Sequence, residues 1–253
     1  MARAGDEIEN NKQPPTAAST DTITPWLLVM GAVIGLVGNA LHPHIVNPST
    51  ESKLRAVADS ANWVGIHAAI LVAVLLVIGG LIGFSAALAD GPAAPLARLG
   101  AAAAVLGGAL VSVSTSIDGF ATRPMAVAWA SAPAPQAADI VRVARGVDQA
   151  GFGIWSIGML VFFGAAFICL GLAANASGRF GALFGWAAVA GGVMSGAAAL
   201  LQIANTGETA AAEILFLVGS IVLTLWSLVL GLLLWRRTSS VAAVNRPLIA
   251  GRS

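Results

Sequence analysis

The sequence predicts an all-α fold, a polytopic transmembrane bundle of about six spans with amphipathic helix extensions on its outer face. Three observations carry this. Of 253 residues, 57% are hydrophobic and only 10% are charged, whereas a soluble domain averages about 25% charged residues and needs them to cover its water-facing surface. The mean hydropathy is +0.85. The apolar residues gather into six runs, each near the roughly 20 residues that cross a bilayer as a helix. No strand pattern interrupts them. In hydrocarbon a helix is the form that satisfies its own backbone N–H and C=O groups.

The elements follow in order. Residues 1–22, polar and acidic with Asp6, Glu7 and Glu9, read as a disordered cytoplasmic tail. They are too acidic for the n-region of a signal peptide, so the first apolar run is expected to stay as a span. The spans fall at about 24–41, 63–88, 97–117, 150–174, 180–203 and 213–235. Pro25 sits at a tolerated first-turn position and Trp26 at interface depth. Trp235-Arg236-Arg237 closes the six-helix domain of residues 23–237. Residues 238–253 read as a flexible cytoplasmic tail.

Orientation follows from the cations. With the N-terminus inside, the cytoplasmic segments hold Arg3, Lys12, Arg98, Arg179, Arg236, Arg237, Arg246 and Arg252. The outside holds Lys53, Arg55, Arg123, Arg142 and Arg145, five against eight. The positive-inside rule then predicts a multi-pass protein of the cell membrane with both termini cytoplasmic.

Two long connections, 42–62 and 118–149, fall outside. Leu54, Val57, Ala58 and Ala61 recur at helical spacing, with Ser49 or Thr50 available as N-cap and Glu51 in the first turn. In 136–149, Ile140, Ala144 and Val147 form an apolar face. Asp139/Arg142 and Arg145/Asp148 are i,i+3 ion-pair candidates. Both stretches are expected to run into the following span. Solvated or interfacial faces explain them, and so does a cap over the outer mouth of the bundle. Small-xxx-small pairs (Gly31/Gly35, Gly79/Gly83, Gly181/Gly185, Gly192/Gly196) suit close helix packing, either within the bundle or against a second copy or a membrane partner.

The residues that could carry chemistry share one depth. His42 and His44 frame Pro43 after the first span, His67 opens the second one turn after Trp63, Asp118 ends the third and Asp148 opens the fourth. A charge beside lipid is expensive unless paired or wet. His42, His44, His67, Asp118 and Asp148, with Trp63 shaping the pocket, should therefore converge. Such a cluster suits a metal ion, with His42, His44 and His67 as ligands. It also suits haem on His67 and His42 or His44, a small ligand, or a hydrogen-bonded network tying helix ends together. Gln202, Asn205, Glu208 and Glu213 are rim candidates at the same depth. Asp118-Gly119 before Arg123 suggests a helix exit with a local ion pair.

Absences narrow the function further. A formal charge of +1 offers no field for nucleic acid. One cysteine, Cys169, excludes an intrachain disulfide or a cysteine zinc site. No charged side chain lies near a span centre to relay protons. There is no HExxH and no histidine after the Ser195-Gly196 pair, so zincin and serine–histidine proteases are unsupported. No catalytic residue is assigned. Three readings stay open: a ligand-binding or metal-binding membrane protein, a non-catalytic subunit of a membrane complex, and an enzyme acting on a lipid or quinone with His67 as base and Asp118 orienting it.

Leu41-His42-Pro43, Trp63-x-x-x-His67, Asp118-Gly119 and Ala128-Trp129-Ala130 are similar to short motifs in a group of uncharacterised six-span membrane proteins of GC-rich, actinobacteria-like bacteria. The motifs cover the first half of the chain. The resemblance implies a bundle and supplies no catalytic residues.

Overall fold

A computed structural model describes residues 22–43, 49–207 and 209–244. Among these the backbone is helical, with no strand. The helices are α1 (Ile23–Leu41), α2 (Thr50–Asp59), α3 (Trp63–Ala87), α4 (Ala94–Ser116), α5 (Thr122–Ser131), α6 (Ala134–Met159), α7 (Phe167–Ala176), α8 (Ala182–Asn205) and α9 (Ala210–Val244). Two π-helical segments, Ile117–Ala121 and Leu160–Ala166, join α4 to α5 and α6 to α7. Six continuous helical stretches are long and apolar enough to span: Ile23–Leu41, Trp63–Ala87, Ala94–Ser131, Ala134–Ala176, Ala182–Asn205 and Ala210–Thr238. This is a multi-pass membrane protein whose outward faces contact lipid. Leu36, Leu75, Leu106, Leu183 and Leu217 are exposed there, as a bilayer solvent permits.

Small residues set the helix spacing. Gly31 of α1 lies against Ala73 and Val77 of α3, and Gly83 of α3 lies against Thr24. Gly192 of α8 meets Ile168 and the Gly164 carbonyl, while a Cβ at Gly185 would strike Asn175. A Cβ at Gly107 of α4 would collide with the backbone of Phe162 in the second π segment. These pairs serve crossings within the chain, as expected where apolar lipid gives helices no reason to associate beyond close packing. Gly181 is the exception, with nothing within 4 Å of a Cβ built there. At one end of the bundle Phe84, Phe180, Phe184 and Trp226 pack together. Arg237 lies over Phe180, and Trp26 packs on Trp235.

The other end carries the extensions. The third stretch has 38 residues and the fourth 43. At 1.5 Å per residue these are about 57 and 64 Å long, well beyond the roughly 30 Å of hydrocarbon. Their surplus, α5 and the first half of α6, forms a helical hairpin against which α2 packs. Leu54, Val57, Trp63, Ala126 and Ala144 are its buried core. These helices are therefore a cap on that end of the bundle and not isolated solvated segments. Ser49 caps α2 by accepting from Ser52 N at 3.1 Å.

Three sequence expectations are corrected here. α2 does not run into α3, because the chain turns at Ser60–Asn62. Asp148 does not pair with Arg145 along α6; it turns to Lys53 of α2. Arg123 does not pair with Asp118. Its guanidinium donates to the Val57 carbonyl and, at 3.0 Å, to that of Ala58, capping the C-terminal end of α2. His44 and Glu208 lie outside the described residues.

Candidate metal centre

Four elements bring the site together. His42 follows the last turn of α1, and its backbone leaves the helix in an extended conformation. Trp63 and His67 occupy successive turns at the start of α3. Asp118 lies in the first π segment, and Lys53 reaches in from α2.

The π segment explains how Asp118 is presented. The Thr122 N–H bonds back to the Ile117 carbonyl, five residues earlier, and the Thr122 hydroxyl donates to the same oxygen at 3.1 Å. The Asp118 carbonyl, relieved of the amide it would hold in an α-helix, accepts the Trp63 indole N–H at 2.9 Å. Gly119 lies directly against His67. A Cβ there would overlap His67 Cβ and stand 2.6 Å from its Cγ, so glycine is what lets the imidazole reach the carboxylate. Such π insertions recur at functional sites.

The ring of His67 is 3% exposed and both of its nitrogens are engaged. Nδ1 lies 2.8 Å from the Trp63 carbonyl. A carbonyl only accepts, so Nδ1 carries a proton and Nε2 presents its lone pair when the ring is neutral. That nitrogen lies 3.0 Å from Asp118 Oδ2 and 3.2 Å from His42 Nε2. His42 Nε2 is 3.8 Å from the same oxygen. Three potential ligand atoms thus converge, and His42, His67 and Asp118 form a group that could hold a metal ion. A tetrahedral ion with bonds of 2.0–2.1 Å would separate its ligands by about 3.3 Å, midway in the observed range. The Trp63 carbonyl accepts from Nδ1 of His67 and fixes its tautomer, the role that outer-shell carbonyls take behind imidazoles that ligate metals. The Trp63 ring also lies tilted beside both imidazoles, 4.5 Å from His67 and 5.3 Å from His42 between centroids.

The second oxygen of Asp118 faces a cation. Lys53 Nζ lies 3.2 Å from Oδ1 and hydrogen-bonds Asp148 of α6. Burial pushes the Lys53 ammonium toward its neutral form, but the charges and hydrogen bonds of Asp118 and Asp148 outweigh this and hold its pKa above the ordinary lysine value. Asp148 thus reaches the site through Lys53 and not as a ligand.

Other sequence candidates go elsewhere. Gln202 accepts from Ser156 at 3.2 Å and Asn205 bonds its own helix. Ser112 and Ser116, on the turns of α4 before Asp118, donate to carbonyls one turn back. Sequence reasoning missed Lys53 and Gly119 as site residues. Lys53 lies one turn before Val57, beside the buried stripe of α2, and that position is a signal for an inward-facing cation.

No family model matches the chain, no curated protein matches it, and no solved structure matches it. Fold and cluster alone define the class: a multi-pass membrane protein with two imidazoles and a carboxylate converging at one end of its bundle.

Proposed function

We propose that the chain binds a divalent first-row transition metal through His42 Nε2, His67 Nε2 and Asp118 Oδ2, at the outer face of a bacterial cytoplasmic membrane. The observation that carries this is the convergence of the three ligand atoms, 3.0 to 3.8 Å from one another. With Nδ1 of His67 committed to the Trp63 carbonyl, a neutral imidazole and a carboxylate oxygen 3.0 Å apart repel unless a cation stands between them. Nitrogen and oxygen donors without thiolate suit zinc, iron, cobalt or nickel more than copper(I). Arg98, Arg179, Arg236 and Arg237 gather at the opposite end, which supports a cytoplasmic location for that end and for both termini. The bacterial setting leans on the motif resemblance.

The other readings are less favoured. A haem would need the two imidazoles far enough apart to hold an iron and its macrocycle between them. The two nitrogens here are 3.2 Å apart and share a carboxylate, so haem fits poorly. The His67 ring is 3% exposed, and its Nε2 turns inward to His42 and Asp118 and not toward a lipid or quinone, which disfavours a general-base role. Most small-residue pairs are used inside the bundle, which removes the main support for a partner-subunit role.

Elemental analysis of protein purified in mild detergent tests the proposal. Near-stoichiometric metal that disappears in His67→Ala is the expected result. Metal-free protein that also develops no visible ligand-field bands with added Co²⁺ would overturn it.

A further inference from the structure

The site contains a positive charge of its own. We propose that Lys53 is an internal counter-cation that competes with the metal for Asp118, which makes the metal an exchangeable ligand and not a permanent cofactor. This rests on the reading of the His42–His67–Asp118 triangle as a metal site.

The Asp118 carboxylate is divided between two claims. Oδ2 faces the imidazoles at 3.0 and 3.8 Å, and Oδ1 faces Lys53 Nζ at 3.2 Å. An ammonium on one oxygen draws electron density from the other and repels a divalent ion beyond it. Permanent metal sites support their ligands with hydrogen-bonded carboxylates, carbonyls or water. A lysine does the opposite.

Lys53 also has a second place to put its charge. Asp148 of α6 already accepts its hydrogen bond. The ammonium can release Asp118 without being stranded, because its other carboxylate remains. Nor does Lys53 hold α2 in place alone: Leu54 and Val57 are buried in the cap, and Arg123 caps the end of the helix. With neutral imidazoles, Asp118, Asp148 and Lys53 sum to −1. A divalent ion brings the whole to +1. Removing Lys53 leaves −2 to receive it.

Competition titrations of the full-length protein in detergent, with Co²⁺ and Zn²⁺ against a metallochromic chelator, test this. Lys53→Met should bind at least about tenfold more tightly, or about 1.4 kcal/mol. Asp148→Asn removes the alternative partner and leaves the ammonium on Asp118 alone, so it should bind several-fold more weakly. A role for these residues in architecture alone would weaken binding in both variants; opposite signs are the signature of competition. Unchanged or weaker binding by Lys53→Met overturns the inference. If that variant fails to fold, unchanged or tighter binding by Asp148→Asn overturns it. A folded wild-type protein that takes up neither ion removes the metal reading itself and this inference with it. Wild-type binding with an unmoved Lys53→Met affinity removes only the role of Lys53.

Discussion

Gly119 and Ser195 show how differently two small residues can matter. At Gly119 even a methyl group would collide with His67. Gly119→Ala should therefore abolish metal retention in elemental analysis while helicity by circular dichroism is kept, because the imidazole is displaced and the bundle is not. Ser195 is fully buried, and its hydroxyl has no hydrogen-bond partner among the described residues. An unsatisfied buried hydroxyl costs about 1–3 kcal/mol, so Ser195→Ala should leave the thermal midpoint unchanged or raise it. A fall of several degrees would show that the hydroxyl has a partner. Trp63 lies between these cases. Trp63→Phe keeps an aromatic ring beside His67 but loses the N–H that Asp118 O accepts, and weakened metal binding with a retained fold is the expected outcome.

Among the elements, α2 carries the sharpest consequences. Arg123 supplies charge-assisted hydrogen bonds to its last carbonyls, where a helix dipole favours a cation. Arg123→Met should lower stability by about 1.5–3 kcal/mol, read as a drop in thermal midpoint with the spans still helical. Lys53 adds a pH dependence. Its pKa is raised in the folded protein above the ordinary 10.5, so its contribution is fully present below that value and fades as pH rises through the folded one. The midpoint difference between wild type and Lys53→Met should stay constant from neutral pH to about 10 and shrink above it. A difference that changes between pH 6 and 9 would assign the coupling to another group. The same helix marks the limit of what sequence shows. Its N-cap and its buried Leu54 and Val57 follow from local rules. Its break at Ser60 and the choice of Lys53 by Asp148 do not, because a tertiary ion pair in a partly dry interface outcompetes an i,i+3 neighbour on an exposed helix face.

At the scale of the molecule, the spans were readable from run length alone, since a bilayer imposes a length that water does not. The convergence of His42, His67 and Asp118 was readable from depth: residues costly beside lipid are driven together at one level. What depth could not supply was the approach distance, which depends on Gly119 and on a π segment with no period of its own. Sidedness can be tested directly. In a Cys169→Ala background, Asp139→Cys in the cap should react with an impermeant maleimide on intact cells, and Asp90→Cys in the opposite loop only after permeabilisation. The reverse pattern would place the cap in the cytoplasm. Finally, the third and fourth crossings pass from hydrocarbon into the cap as unbroken rods, with no flexible joint at the water boundary. Cap and bundle are splinted together, so denaturation followed at the two ends should coincide in a single step, and any tilting of those rods among their lipid-embedded neighbours would be delivered, undamped, to the mouth of the site.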